Sequence, residues 1–289
     1  MKRYLYQTIN SDLEQKMVFL GGPRQVGKTT LSKSFLDKAS GYLNYDFVDD
    51  RKLILNGPWP DSQVWIFDEI HKYNRWRNHI KGLYDKFNDE KKIIVTGSAR
   101  LDYYRKGGDS LQGRYHYYRL HPLTCAELKI KTQSDLVDLF KLGGFPEPFF
   151  SGSEKSTQRW TKSYTTRLIA DDVQSLEKSQ DLTSMELLLW RLPSLVASPL
   201  SINSLREDLG PAHKTISKWL DIFERLYAIF RIAPFGSPLI KAVKKEQKHY
   251  HFNWDEVKTD GPRFENMIAV HLLKWVHFRQ DTLAENIDL

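Results

Sequence analysis

The sequence predicts an α/β fold, a parallel sheet with helices on both faces, followed by a helical region and a winged helix. Three observations carry that reading. Strand-like apolar runs at 17–22, 42–47, 64–69, 92–98 and 115–120 alternate with helix-compatible segments such as Thr29 to Lys38 and Trp76 to Asn88. Such alternation is the mark of βα units, whose parallel strands need helical crossovers. From residue 126 to 197 the pattern becomes helical, with Asp135 to Phe140 opening one helix and Thr157 to Ser175 reading as a longer one. Residues 198–240 then read as helix, turn, helix and wing. Ser201 to Leu205 begins the first helix, and Gly210-Pro211 breaks it. Lys214 to Ala228 forms the second, with Ile216, Leu220, Phe223 and Tyr227 at helical spacing, and Ile229 to Ile232 follows as a strand. The expected division is therefore a core at 1–125, a helical region at 126–197, a winged helix at 198–240 and a C-terminal piece at 241–289.

Composition narrows the classes. A chain of 289 residues buries roughly three-quarters of its unfolded surface, enough for two or three cores without staples. The single cysteine, Cys125, excludes an intramolecular disulfide and any zinc site built on cysteines. Met1 to Leu5 carries two basic residues with no signal-length apolar run behind them, and no stretch approaches the roughly eighteen apolar residues of a membrane span. The expectation is a soluble, cytoplasmic protein with no membrane partner. Net charge is +7 and aromatic residues make up 13%, a balance compatible with nucleic acid. Residues 241–249 concentrate four lysines; they read as a solvated segment or, alternatively, as a phosphate contact. His249 and His251 form the closest histidine pair, but without a neighbouring cysteine or acidic cluster they read as ordinary histidines.

The chemistry begins after the first strand. Met17 to Leu20 is an apolar run that feeds Gly22-Pro23-Arg24-Gln25-Val26-Gly27-Lys28-Thr29-Thr30, which satisfies G-x-x-x-x-G-K-[ST]. Glycines at 22 and 27 let the backbone wrap a phosphate, and the helix beginning at Lys28 offers its positive N-terminal end to the same anion. Lys28 is expected to reach the outer phosphates and Thr29 to hold Mg²⁺. At the end of the third run come Asp68 and Glu69. Asp68 is expected to complete the Mg²⁺ site with Thr29, and Glu69 to take the proton of an attacking water, which points to hydrolysis.

The fourth run ends in Thr96-Gly97-Ser98, beside the ends of the first and third strands, where open α/β sheets bind ligands. Thr96 or Ser98 is the candidate for sensing the γ-phosphate or orienting the water. Arg114, just before the fifth run, is the candidate arginine for transition-state charge, in cis or from a neighbouring subunit, with Arg100 as the second choice. In the winged helix, a DNA reader would use the early residues of its second helix, here His213, Lys214, Thr215 and Lys218; Asp221 and Glu224 on that helix weigh against it.

Taken together, the segments Gly22 to Thr30, Ile66 to His71, Thr96 to Ser98 and Gly113-Arg114 resemble a prokaryotic group of AAA-type ATPases. The likeness continues through Pro122-Leu123-Thr124 with Glu127, Gly143 to Glu147, and Gly261 to Leu273. The resemblance implies an ATPase core, a helical region, a winged helix and a C-terminal domain with a restriction-endonuclease-like appearance. It implies carboxylates and a lysine on strands beyond the first helix of that last domain. Here the sequence reaches Leu289 soon after that helix, leaving Glu265 as the one outlying candidate and no nuclease metal cluster.

The expected function is Mg²⁺-dependent ATP hydrolysis coupled to rearrangement of the helical and winged-helix regions, with a homo-oligomer as the setting for an arginine supplied in trans. The alternative is an ATP-gated switch that binds DNA or protein with negligible turnover. A small-molecule kinase is the third reading, disfavoured because Glu69 directly follows Asp68 and no acceptor pocket is evident.

Overall fold

The five apolar runs form one sheet in the computed structural model, which describes residues 1–97, 111–174, 181–234 and 247–289. The strands are β1 (Met17–Gly21), β2 (Tyr42–Asn44), β3 (Val64–Asp68), β4 (Lys92–Thr96) and β5 (Tyr115–Arg119), in the spatial order β2-β3-β4-β1-β5. Every neighbouring pair is parallel. β1 and β3 are buried at every position, as strands are when helices cover both faces.

Alternation along the strands assigns the two faces. Met17, Phe19, Trp65, Phe67, Ile93 and Val95 join one apolar cluster. It is completed by Ile54 of a helix Val48–Asn56 and by Trp76, Ile80 and Leu83 of a helix Trp76–Phe87. Val18, Leu20, Ile66 and Ile94 point the other way and are buried too. Helix Tyr6–Asp12 packs on β1 and helix Lys28–Lys33 on β3 and β4 without contributing to the first cluster, so they cover this second face.

Register decides what meets at the sheet's ends. Leu20 and Asp68 both pair with Thr96, so the C-terminal ends of β1, β3 and β4 lie side by side. At the opposite end Met17 pairs with Tyr115. β1 sits between β4 and β5, so its neighbours connect in opposite directions from it; this is the switch point at which open sheets leave a crevice.

The chain divides into two compact units, one of Met1–His121 with Val276–Asp288 and one of Pro122–Trp275 with Leu289. The second is mostly helical. Its helices Gln133–Leu142, Glu154–Arg167, Leu182–Arg191 and Ile202–Leu209 each begin at a side-chain cap, from Thr132, Ser153, Asp181 and Ser201 respectively. Helix Ile202–Leu209, the turn through Gly210 and helix His213–Arg225 are followed by β6 (Ile229–Ile232), paired antiparallel with β7 (Lys248–His251).

Three element boundaries differ from the expectation. The helix after the glycine loop ends at Lys33, because Ser34 folds its hydroxyl onto Leu31 O at 2.6 Å. The long helix from residue 157 begins at Glu154, stops at Arg167 and passes into a π-turn, Leu168–Val173, that buries Leu168, Ile169 and Val173. β7 replaces the C-terminal end of the basic segment that read as a solvated stretch: His249, Tyr250 and His251 are buried in the ribbon. The remainder of that segment, 241–246, lies outside the described residues. Among the described residues no helix is long and apolar enough to cross a membrane.

Candidate active site

β1 ends at Gly21 and delivers the chain into a loop whose geometry demands its glycines. Gly22 has φ 129°, and a Cβ there would sit 2.2 Å from Leu120 O. Gly27, with φ 100°, caps the helix that starts at Lys28. Gln25 also takes a positive φ, 59°, and is exposed together with Thr30, while Pro23 and Val26 are buried and Arg24 is half-buried. Arg3 braces the loop from outside the motif: it donates to Val26 O at 2.7 Å and to His121 O at 2.5 Å. Lys28 is buried and donates to the loop's own carbonyls, Gly22 O at 3.0 Å and Pro23 O at 2.6 Å.

Asp68 is the point of convergence. It is 6% exposed and accepts from Thr29 Oγ1 at 2.9 Å, from Tyr42 Oη at 2.8 Å and from Thr96 Oγ1 at 2.5 Å. Thr29 and Tyr42 share one carboxylate oxygen and Thr96 takes the other. The register of β3 and β4 puts Thr96 directly beside Asp68, and β2 brings Tyr42 from the other side. Burial and the neighbouring Asp68 charge hold the Tyr42 phenol well above its ordinary pKa, so it stays a donor. Lys33 Nζ sits 3.7 Å from the Tyr42 ring centroid, fixing the ring from its far side.

Glu69 follows in the left-handed region, φ 57°, and its N–H bonds Thr96 O at 3.1 Å. Burial pushes its carboxyl above the usual range, while the nearby Lys72 ammonium works against that rise. One carboxylate oxygen lies 3.5 Å from Lys72 Nζ and 3.6 Å from His71 Nε2. Lys72 is itself held by Asp46 at 2.5 Å.

Of the residues singled out from sequence, Lys28, Thr29, Asp68 and Thr96 therefore meet at one end of the sheet, with Glu69 next to them. Ser98 and Arg100 lie outside the described residues. Arg114 does not join the group. It precedes β5 at the opposite end of the sheet, its carbonyl accepting from Met17 N at 3.0 Å, and its guanidinium holds Asp85 in two contacts of 2.7 and 3.3 Å. A role for Arg114 in its own chain's site is thus corrected, because the length of β1 and β5 separates it from Gly22.

Elsewhere, His213, Lys214 and Lys218 are exposed and Thr215 is half-buried. The acids on that helix are already engaged: Arg231 of β6 bonds Asp221 at 2.6 Å and Glu224 at 2.5 Å. Glu265 accepts from Tyr250 Oη at 2.7 Å and Lys248 Nζ at 3.0 Å, contacts that tie the final helix Asp260–Leu283 to β7. His249 is buried with Nε2 2.9 Å from Leu192 O, and burial drives its pKa down to about 3. His251 Nδ1 lies 2.8 Å from a Glu256 oxygen. Sequence reasoning passed over Arg3, Tyr42 and Lys72, and no motif spacing marks them.

Comparison with known proteins bears on the fold that carries these residues. Residues 14–129 match the AAA domain family, and residues 133–253 match a domain of unknown function, DUF8612. The chain is 26% identical over 243 residues to the uncharacterized proteins Mb2031c of Mycobacterium bovis and Rv2008c of Mycobacterium tuberculosis, covering 81% of this chain and 53% of each relative. It is 25% identical over 307 residues to the uncharacterized protein MJ1637 of Methanocaldococcus jannaschii, covering 86% of this chain and 63% of the relative. The chain thus spans little more than half the length of the curated relatives it matches. Among solved structures, the Walker-type ATPase PABY2304 of Pyrococcus abyssi superposes with a TM-score of 0.51 at 13% identity, covering 90% of this chain and 94% of that one, which is a likeness of fold. Residues 14–129 thus resemble an AAA domain and carry the five-stranded parallel sheet of a P-loop fold.

Proposed function

We propose that the protein binds ATP with Mg²⁺ on the Gly22–Thr30 loop and hydrolyses it, driving a rearrangement of the helical region (126–197) and the winged helix (198–240). The observation that carries this reading is the convergence of Thr29, Thr96 and Tyr42 on Asp68, beside a loop that holds a buried lysine. A hydroxyl and a carboxylate 2.9 Å apart are hard oxygen donors, the kind Mg²⁺ prefers. Thr29 and Asp68 would hold the ion, which when bound neutralises charge on the outer phosphates.

The remaining steps belong to the chain's own groups. Lys28 exchanges the loop carbonyls for the β- and γ-phosphate oxygens, a charge-assisted contact in place of a neutral one. Glu69, whose pKa burial raises, takes the proton of the attacking water. Thr96, with Ser98, orients that water or senses the γ-phosphate. Arg114 acts in trans: a residue at one end of the sheet reaches a site at the other end when copies stack head to tail, as heterologous contacts do. The setting is then a cytoplasmic homo-oligomer.

A second reading, ATP-gated DNA binding, has its own support. Arg231 engages both acids of this helix, Asp221 and Glu224, while His213, Lys214 and Lys218 are exposed on it. Salt-dependent DNA affinity that changes with nucleotide would favour it.

Titration with a fluorescent ATP analogue, with and without Mg²⁺, tests the site. Lys28→Ala should lose binding in both conditions, and Asp68→Asn only the Mg²⁺-dependent part. Binding of equal strength in wild type and Lys28→Ala would remove the nucleotide reading.

A further inference from the structure

The second unit contains a cavity of about 270 Å³ that plays no part in the nucleotide reading. Its walls come from Thr161 and Thr165 on helix Glu154–Arg167, Leu189 and Trp190 on helix Leu182–Arg191, Ser194 in the next turn, and Glu256. That volume falls just under the roughly 300–1,000 Å³ of sites for drug-sized ligands, so an occupant is a small metabolite. A water-sized void of about 10 Å³ shares Thr165, Leu189 and Glu256 with it and adds Tyr227 and Asn253.

The polar groups here are lopsided. Thr161 Oγ1 donates to Asp255 at 3.0 Å and Thr165 Oγ1 donates to Thr161 O at 3.0 Å. Both hydroxyls have committed their single proton, and Thr161 Oγ1 already accepts from Asn253 Nδ2 at 3.2 Å, so toward a ligand Thr165 Oγ1 acts as the acceptor. Glu256 adds a carboxylate. In the adjoining void, Asn253 Oδ1, on a residue 2% exposed, has no hydrogen-bond partner among the described residues, and neither has the Tyr227 hydroxyl, which can donate as well as accept. A buried acceptor without a donor is rare in native proteins, and this void has room for the single water that would supply one. Trp190, 45% exposed, offers an aromatic face on which a cation or a second ring can rest. Lys258, also on the rim, is exposed and screened by solvent.

We propose that this cavity binds a small organic cation, a primary amine or guanidine on an apolar or aromatic body. Its N–H groups meet Glu256 and the hydroxyl oxygen of Thr165, and its body lies against Leu189 and Trp190. The inference is independent of the nucleotide reading.

The test titrates the full chain, without nucleotide, with phenethylamine and butylguanidine against 2-phenylethanol as the neutral counterpart, followed by saturation-transfer NMR and thermal melting. Both cations should bind and raise Tm, and the alcohol should bind at least roughly tenfold more weakly. Glu256→Gln should erase that preference, and Leu189→Trp, which fills the cavity, should abolish binding while ATP-analogue binding persists. The preference of the wild type for cation over alcohol is decisive even if Glu256→Gln, deprived of its contact with His251, fails to fold. Equal binding of amine and alcohol, unchanged amine binding in Leu189→Trp, or no binding of either cation up to about 10 mM would overturn the proposal.

Discussion

Gly22 shows how little latitude the loop has. A methyl group there meets Leu120 O at 2.2 Å on a backbone already at φ 129°, so Gly22→Ala should lose ATP-analogue binding and cost on the order of 1–3 kcal/mol in denaturant unfolding. Asp68 presents the opposite case, a carboxylate held from several sides. Tyr42→Phe removes one donor from the oxygen that Thr29 uses. It should raise the Mg²⁺ needed for half-maximal analogue binding roughly tenfold, with Mg²⁺-free binding unchanged. For Glu69 the ionised form is the base, and burial raises its pKa. Turnover should therefore rise with pH through an inflection above that of an ordinary glutamate, and Lys72→Ala, which removes an opposing charge, should move the inflection higher still. Motif spacing made Gly22, Lys28, Thr29 and Asp68 legible in the sequence. Arg3 and Tyr42 were not, because an arginine in an N-terminal segment and a tyrosine on a short strand acquire their roles only when the sheet brings them to Val26 and Asp68.

At the scale of elements, apolar runs located all five strands of the sheet, since parallel strands covered on both faces read as such runs. Helix ends were less legible. They turn on local competition, such as Ser34 bonding Leu31 O, or Tyr227 taking φ 57° to turn helix His213–Arg225 into β6. β7 was hidden because its residues are histidines and a tyrosine, whose burial comes from tertiary packing. The buried turn that follows β7 has a testable charge. Asp255 accepts from Thr161, neighbours Glu256, Asn253 and Lys258, and is pushed up by burial to about 7 from the ordinary 3.8. Between those values the folded chain holds a proton that the unfolded chain has lost, so the contribution is full below about 3.8 and disappears as pH rises through about 7. His249, driven down, has the opposite sign, its contribution being lost as pH falls below its ordinary 6.5. Subtracting the stability of Asp255→Asn from that of the wild type cancels the histidine. The difference should fall from pH 4 to pH 7, and a flat difference would contradict the buried, protonated carboxyl.

For the whole molecule, the fold class was legible because apolar strand-like runs alternating with helical segments over the first 125 residues admit few topologies. The strand order was not, since nothing local in β1 shows that it lies between β4 and β5. The parallel direction of β1 and β5, by contrast, sends Arg114, which precedes β5, to the far end of the sheet from the phosphate loop. If Arg114 acts on a neighbouring copy, Arg114→Ala should retain ATP-analogue binding and lose the dependence of specific activity on protein concentration, with turnover down by about 10³-fold or more. The most direct measurement of the central claim is Mg²⁺-dependent phosphate release from ATP as protein concentration rises, with Glu69→Gln as the blank. Release well above the blank, climbing in specific activity with concentration, is the predicted result. ATP binding with no release above Glu69→Gln at any concentration would contradict hydrolysis by this chain and leave the nucleotide as a gate for DNA or protein binding.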